Sequence, residues 1–150
     1  MLKTKPPPNM DNNYQRLLSD IKTTIQAERT KAARQLTQTV IGAYLKIGQQ
    51  ILESQKTYGW GKGIVEQLSK DLQRDFPGTE GFSARNLWNM RLLYETYQGY
   101  PILLQLVAEI PWGQNLLILN KSETCEQREY YLRATAKMGW SRDGRGGVPT

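Results

Sequence analysis

The chain contains no histidine and a single cysteine among its 150 residues. Without imidazole there is no serine triad of the usual kind and no His-bearing metal site. One thiol, Cys125, allows neither an internal disulfide nor a thiolate cluster, and fits a reducing compartment. Its plain role is that of a half-buried helix residue. Long apolar runs are missing too, none approaching the roughly 20 residues of a membrane span. The opening MLKTKPPPNM puts three prolines where a secretory leader needs its apolar core. A cytoplasmic protein without membrane contact is therefore expected. No segment alternates buried and exposed residues over the length of a strand. Clustered acids with a nearby lysine, which a metal-dependent nuclease core requires, are also lacking, since the carboxylates fall singly on helix surfaces. Asp20 and Lys22 stand two apart, a spacing that sends them to different sides of a helix. Gly59, Gly61 and Gly63 lie close together without the lysine and hydroxyl order of a phosphate cradle. No catalytic residue, metal ligand or cofactor is assigned.

What the chain does have is helical periodicity. Residues 1–11, with the run Pro6 to Pro8, and residues 141–150, SRDGRGGVPT from Ser141, are expected to be disordered tails. Between them, residues 12–140 are expected to form one helical domain. Tyr14, Leu17, Leu18, Ile21 and Ile25 keep three-to-four spacing, and Leu36, Val40, Tyr44, Ile47 and Ile51 repeat it. Thr37-Gln38-Thr39 reads either as a joint or as part of one long helix. Pro101 can open a short apolar helix, Ile102 to Ile110. Leu116 to Leu119 form a second apolar run, read as helix or as a strand-like edge, and a hairpin or wing is conceivable over 112–120. A last helix is expected from Ser122 as N-cap, with Glu123, Glu126 and Glu129 near its positive end and Tyr130, Tyr131, Ala134 and Met138 as its apolar positions.

The stretch Trp60 to Tyr97 carries the most information. Ile64, Leu68 and Leu72 recur every four residues, with Val65 and Phe76 beside them, while Lys62, Glu66, Lys70, Arg74 and Asp75 take the other side. Pro77-Gly78 stops that helix. Gly81 and Phe82 then lead to Ser83, a good N-cap. Leu87, Met90 and Tyr94 mark the buried face of the next helix, flanked by Leu93 and Tyr97. Ser83, Arg85, Asn86 and Asn89 fall around its first two turns, facing away from the core. In a helix-turn-helix DNA reader that part of the second helix enters the major groove. There arginine can bond guanine in two places and asparagine can do so with adenine. Helix pairs with a Gly-rich turn also occur in ordinary bundles, where such polar residues are merely solvated.

The formal net charge is +6, which favours an anionic partner. Residues 1–35 carry seven Lys/Arg against three acids, whereas residues 61–98 have five of each. The excess thus lies on the leading helix and tails, where Arg29, Lys31 and Arg34 could hold phosphates while a neutral reader contacts bases. A basic face that only keeps the chain soluble is the competing reading. Trp60, Trp88, Trp112 and Trp140 are read as packing anchors.

YQRLLSDIKTTIQAERTKAARQ, YLKIGQQI, GWGKGIVEQLSKDLQRDFPG, GFSARNLWNMRLLYETY, IPWGQNLLIL, and REYY followed by GWSR together resemble the N-terminal domain of YhcG-type proteins. The resemblance runs over about residues 14–142. It implies a bacterial domain, winged-helix-like or helix-turn-helix-like, that binds DNA and precedes a nuclease domain of the PD-(D/E)XK type. Two positions depart from the pattern. Leu45 stands where tryptophan is common, and Gln114 where histidine often follows Pro-Trp-Gly. The Gly139-Trp140-Ser141-Arg142 motif is also followed by a short Gly-rich stretch instead of a further helix, as in a truncated or stand-alone version of the domain.

The expected architecture is all-α, five to seven helices around a central helix-turn-helix, with a winged-helix-like variant left open. The expected function is a non-catalytic DNA-binding module of a YhcG-like nuclease. In it Arg85, Asn86 and Asn89 approach base edges, Ser83 caps the helix near a phosphate, and Lys62, Lys70 and Arg74 clamp the backbone. The alternative is an interaction module pairing through the long first helix, with a second copy or with a nuclease part on another chain. A remnant that folds but does little is a third reading.

Overall fold

The computed structural model describes residues 11–138, and among them every regular element is helical. The order is α1 (Asn12–Tyr58), α2 (Gly63–Asp75), α3 (Ala84–Tyr97), α4 (Pro101–Ala108), α5 (Trp112–Lys121) and α6 (Cys125–Met138). Six helices and no strand among the described residues make the protein all-α, as the periodicity predicts. The expected tails, apart from Asp11, and the Gly139–Arg142 motif lie outside the described residues.

The chain divides into two compact units, residues 1–35 and 36–150. The described part of the first is the leading stretch of α1. Asp11 starts it, its carboxylate accepting the Asn13 amide at 2.6 Å. Thr23 and Thr24 return their hydroxyls to the carbonyls of Ser19 and Asp20. No described residue of this unit is buried, and Tyr14, Leu17, Ile21 and Ile25 are exposed. Thr37-Gln38-Thr39 does not break the helix, since these residues can bond within it at little cost.

The second unit is built around α3, whose Leu87, Met90, Leu93 and Tyr97 are buried. They join two apolar clusters. One gathers Ile41, Leu93, Tyr97, Leu103, Val107, Ile110, Ile118 and Leu132. The other holds Ile51, Val65, Leu87 and Met90, with Ile64, Leu68, Leu72 and Phe82 packed on it. The crossing of α1 over α3 is set by Gly48, where an added methyl would fall inside the Met90 carbonyl. Only a residue without Cβ lets the two backbones come this close. Between the later part of α1 and α2 an apolar cavity of about 490 Å³ remains, lined by Ile51, Ser54, Trp60, Leu68, Phe76 and Phe82 among others.

Three local expectations change. Residues 112–120 are not a wing, because Trp112–Lys121 is helix. Its buried Asn115 donates to the carbonyls of Val107 at 3.0 Å and Ile110 at 2.9 Å, capping the end of α4. Helix α6 is started by Thr124, not Ser122. The Thr124 hydroxyl accepts the Gln127 amide at 3.1 Å, and the Gln127 side chain accepts the Glu123 amide at 2.7 Å. This reciprocal cap leaves Ser122 buried with its hydroxyl on the Ile118 carbonyl. The buried face of α6 also differs, carried by Leu132 and Thr135, while Tyr130 and Met138 are exposed. Tyrosine tolerates water at its hydroxyl end, so a tyrosine pair is a weaker marker of the inward face than one leucine.

Candidate nucleic-acid interface

The start of α3 is made by local chemistry. Ser83 is extended (φ −65°, ψ 154°), and its hydroxyl accepts the Asn86 amide at 3.1 Å, the N-cap the sequence predicts. Gly81 sits at φ +101°, where an L side chain would be strained, and a Cβ there would strike the Tyr44 hydroxyl. The turn is held from α2: the Ser69 hydroxyl donates to the Phe82 carbonyl at 2.7 Å, and Gln73 donates to Ser69 at 2.8 Å. Residues 76–83 separate α2 from α3. That connection is longer than the roughly three or four residues of a compact helix-turn-helix.

The predicted site residues do not share one fate. Arg85 is exposed and Asn89 half-exposed. Lying four apart, they share the outward side of α3 with Leu92, which is 44% exposed. Asn86 does not face outward. Its Nδ2 donates to the Gly81 carbonyl at 2.8 Å, while its Oδ1 accepts the Trp112 indole N–H at 2.7 Å. With both ends of the amide occupied, Asn86 ties the turn to α5. The expectation that Asn86 faces away from the core is corrected on that ground. Trp112 also meets the Tyr44 ring edge-on at 4.9 Å. The Pro-Trp-Gly and Ser-Ala-Arg-Asn motifs therefore meet in one lock that fixes α3 against α1 and α5.

Lys62, just before α2, and Lys70 on it are exposed. Arg74 is exposed as well, but it lies 3.1 Å from Asp71 and 3.2 Å from Asp75. The hydrogen bond and charge of Asp75, with Asp71 adding, raise its pKa, so the guanidinium is held by its own helix. Exposed pairs of this kind are weak, and a phosphate could compete for the arginine only against two local carboxylates. Arg29, Lys31 and Arg34, on the first unit, are exposed.

Sequence reasoning passed over Arg91. Its Nε donates to the Gln55 side chain of α1 at 2.5 Å, and a terminal nitrogen lies 3.2 Å from Glu95. The guanidinium stands over the Trp88 ring at 5.4 Å. Only the Arg91/Glu95 spacing was visible beforehand, since the Gln55 contact spans 36 positions. Among the described residues no group of three or more His, Cys, Asp or Glu is placed to hold a metal ion, and no helix is long and apolar enough to cross a membrane.

The scaffold is all-α, and in its second unit the motifs carrying Tyr44, Gly81, Asn86 and Trp112 meet at the start of α3. The DUF1016 N-terminal domain family matches residues 20–144, and the chain belongs to that family. A protein of Escherichia coli (strain K12) named "Putative nuclease YhcG" is 30% identical over 160 residues. The match covers 85% of this chain and 42% of that relative, so the chain spans less than half the relative's length. No solved structure matches the chain.

Proposed function

We propose that this domain binds duplex DNA through the outward side of α3, in the service of a nuclease. The observation that supports this reading is the uncommitted state of Arg85 and Asn89. Both lie within two turns of a well-capped helix start, on a face that the Asn86 to Trp112 lock holds in place. Arg85 would contact guanine, Asn89 adenine, and Leu92 a thymine methyl. Lys62 and Lys70 would contact phosphates. Arg74 joins only by leaving Asp71 and Asp75. Ser83 serves the site by capping α3. The domain itself has a non-catalytic role in this reading, and the cutting activity named in the relative lies elsewhere.

A salt series decides the matter. Fluorescence anisotropy with a random duplex at two or more ionic strengths should show binding that weakens steeply with salt, as counterion release requires. Absence of binding at low salt would sink the DNA reading.

A second reading has its own support. Tyr14, Leu17, Ile21 and Ile25 are exposed along one side of α1, which suits a protein contact.

A further inference from the structure

We infer that the cavity between the later part of α1 and α2 is a binding site for a nucleobase, a flat heterocycle with amino and ring-nitrogen groups on its edge. The inference goes beyond duplex reading by α3 and stands without it. The cavity, about 490 Å³, falls within the roughly 300–1,000 Å³ of small-ligand sites. Buried Ile51 and Val65 border it, and Trp60, Phe76 and Phe82 supply aromatic surface. The Trp60 loop is tied down on both sides. Gln55 donates to the Gly61 carbonyl at 3.4 Å, and the Tyr58 ring stacks on the indole at 4.7 Å. Such walls suit a flat ring, since every base offers a π-face.

The polar groups decide the class of ligand. Gln50 and Ser54, one turn apart on α1, line the cavity, and neither side chain makes a hydrogen bond among the described residues. Thr96, by contrast, returns its hydroxyl to its own helix. From α2, Gln67 donates to one Asp71 oxygen at 3.1 Å, and Arg74 takes that same oxygen at 3.1 Å. The second Asp71 oxygen and the Gln67 side-chain oxygen retain acceptor capacity. So α2 offers acceptors to an amino group, while the Gln50 amide can pair with the donor–acceptor edge of a base, as glutamine does with adenine. No lysine or arginine lines the cavity, which argues against a ligand held by phosphate or carboxylate. Arg74 already balances the charge of Asp71, so a cationic ligand is not demanded either. Gln50 and Gln67 are exposed whereas Ile51 and Val65 are buried, so the ring enters apolar side first with its substituents toward solvent. A free nucleoside and an unpaired base of DNA both present this chemistry.

The test uses the full chain and follows the indole N–H signal of Trp60 by NMR, assigned with Trp60→Phe. Adenosine and cytidine should shift that signal. Thymidine, which has no exocyclic amine, should bind several-fold more weakly, and adenosine monophosphate no more tightly than adenosine. Gln50→Leu, at an exposed position, should weaken adenosine about three- to tenfold, the worth of one neutral hydrogen bond. Leu68→Trp should fill the cavity and abolish binding, with a circular dichroism melt to show that the fold is kept. A single-stranded oligonucleotide that competes with adenosine places the base in DNA. Adenosine binding without such competition makes the ligand a free nucleoside. The inference is overturned if neither millimolar nucleoside nor single strand shifts the signal, or if binding survives Leu68→Trp. Tighter binding of the monophosphate overturns it too, as does indole binding as well as adenosine does and ignoring Gln50→Leu. Duplex binding measured on Leu68→Trp should be unchanged, so the reading of α3 stands or falls separately.

Discussion

The indole N–H of Trp112 donates to Asn86 Oδ1 at 2.7 Å, joining α5 to the first turn of α3 across 26 positions of sequence. The same asparagine holds the Gly81 carbonyl at 2.8 Å, so one amide fixes both the turn and the helix that follows it. Whatever α3 contacts, this bond sets the direction in which Arg85 and Asn89 point.

Removing that bond should loosen α3 without touching the outward face. Trp112→Phe keeps an aromatic ring against Tyr44 but leaves the Asn86 oxygen without its donor. A loss of about 1–3 kcal/mol in urea unfolding is expected. Asn86→Ala should cost a similar amount. Any weakening of DNA binding by Asn86→Ala should vanish when the fraction folded is allowed for. A loss of base preference with full stability would restore Asn86 as a reader.

Two glycines on α1 should respond in opposite ways to the same substitution. Gly48→Ala drives a methyl into the Met90 backbone, which cannot step aside as a side chain would. It should cost about 3 kcal/mol or more, or prevent folding. Gly42 is exposed with nothing within 4 Å of an added Cβ. Gly42→Ala should therefore stabilise by about 0.5–1 kcal/mol through helix propensity. Chemical denaturation of the two variants checks both signs.

If α3 reads bases, Arg85→Ala should cost about 1–3 kcal/mol on a selected sequence and relax preference at one position. Lys70→Ala should weaken all duplexes alike and reduce the salt dependence by about one unit of slope. Selection of preferred duplexes from a random pool, followed by titration with each variant, distinguishes the two effects. Equal loss on every duplex from Arg85→Ala would make its contact one to phosphate.

Tyr97 supplies a pH-dependent test. Burial pushes its phenol from an ordinary value of 10.0 up to about 12, with the charge of Arg128 opposing the rise. The unfolded chain then ionises this group before the folded chain does. Its contribution to stability is fully present below about pH 10 and is lost as pH rises through about 12. The melting temperature of wild type relative to Tyr97→Phe should be flat up to pH 10 and decline above it. Since the Tyr97 hydroxyl is buried and has no hydrogen-bond partner among the described residues, the phenylalanine should cost little at neutral pH.

Much of the architecture was legible because apolar spacing and helix punctuation are local. Leu87 and Met90 announce the buried side of α3, though Leu93 and Tyr97 complete it where Tyr94 was expected; Ser83 caps the helix, and Pro101 opens α4. The family was legible for the same reason, in motifs that keep their order along the chain. What escaped was the partner of each polar group. Asn86 and Asn89 look equivalent near the start of one helix. Three positions is less than a full turn, however, and that difference rotates Asn86 toward α5 while Asn89 stays outward. Arg74 looks like a free cation in a list of residues, but it lies beside two carboxylates of its own helix.

Composition, periodicity and caps thus determined by themselves that this chain is helical, where most helices begin and end, and to which family it belongs, because backbone preference and hydrophobic pattern act over a few residues. Tertiary structure alone decided that Gly48 must have no side chain, that Asn86 is a lock, and that Arg91 reaches Gln55. Those outcomes depend on which elements lie within hydrogen-bonding or van der Waals reach after the chain has packed, and no local rule carries that information.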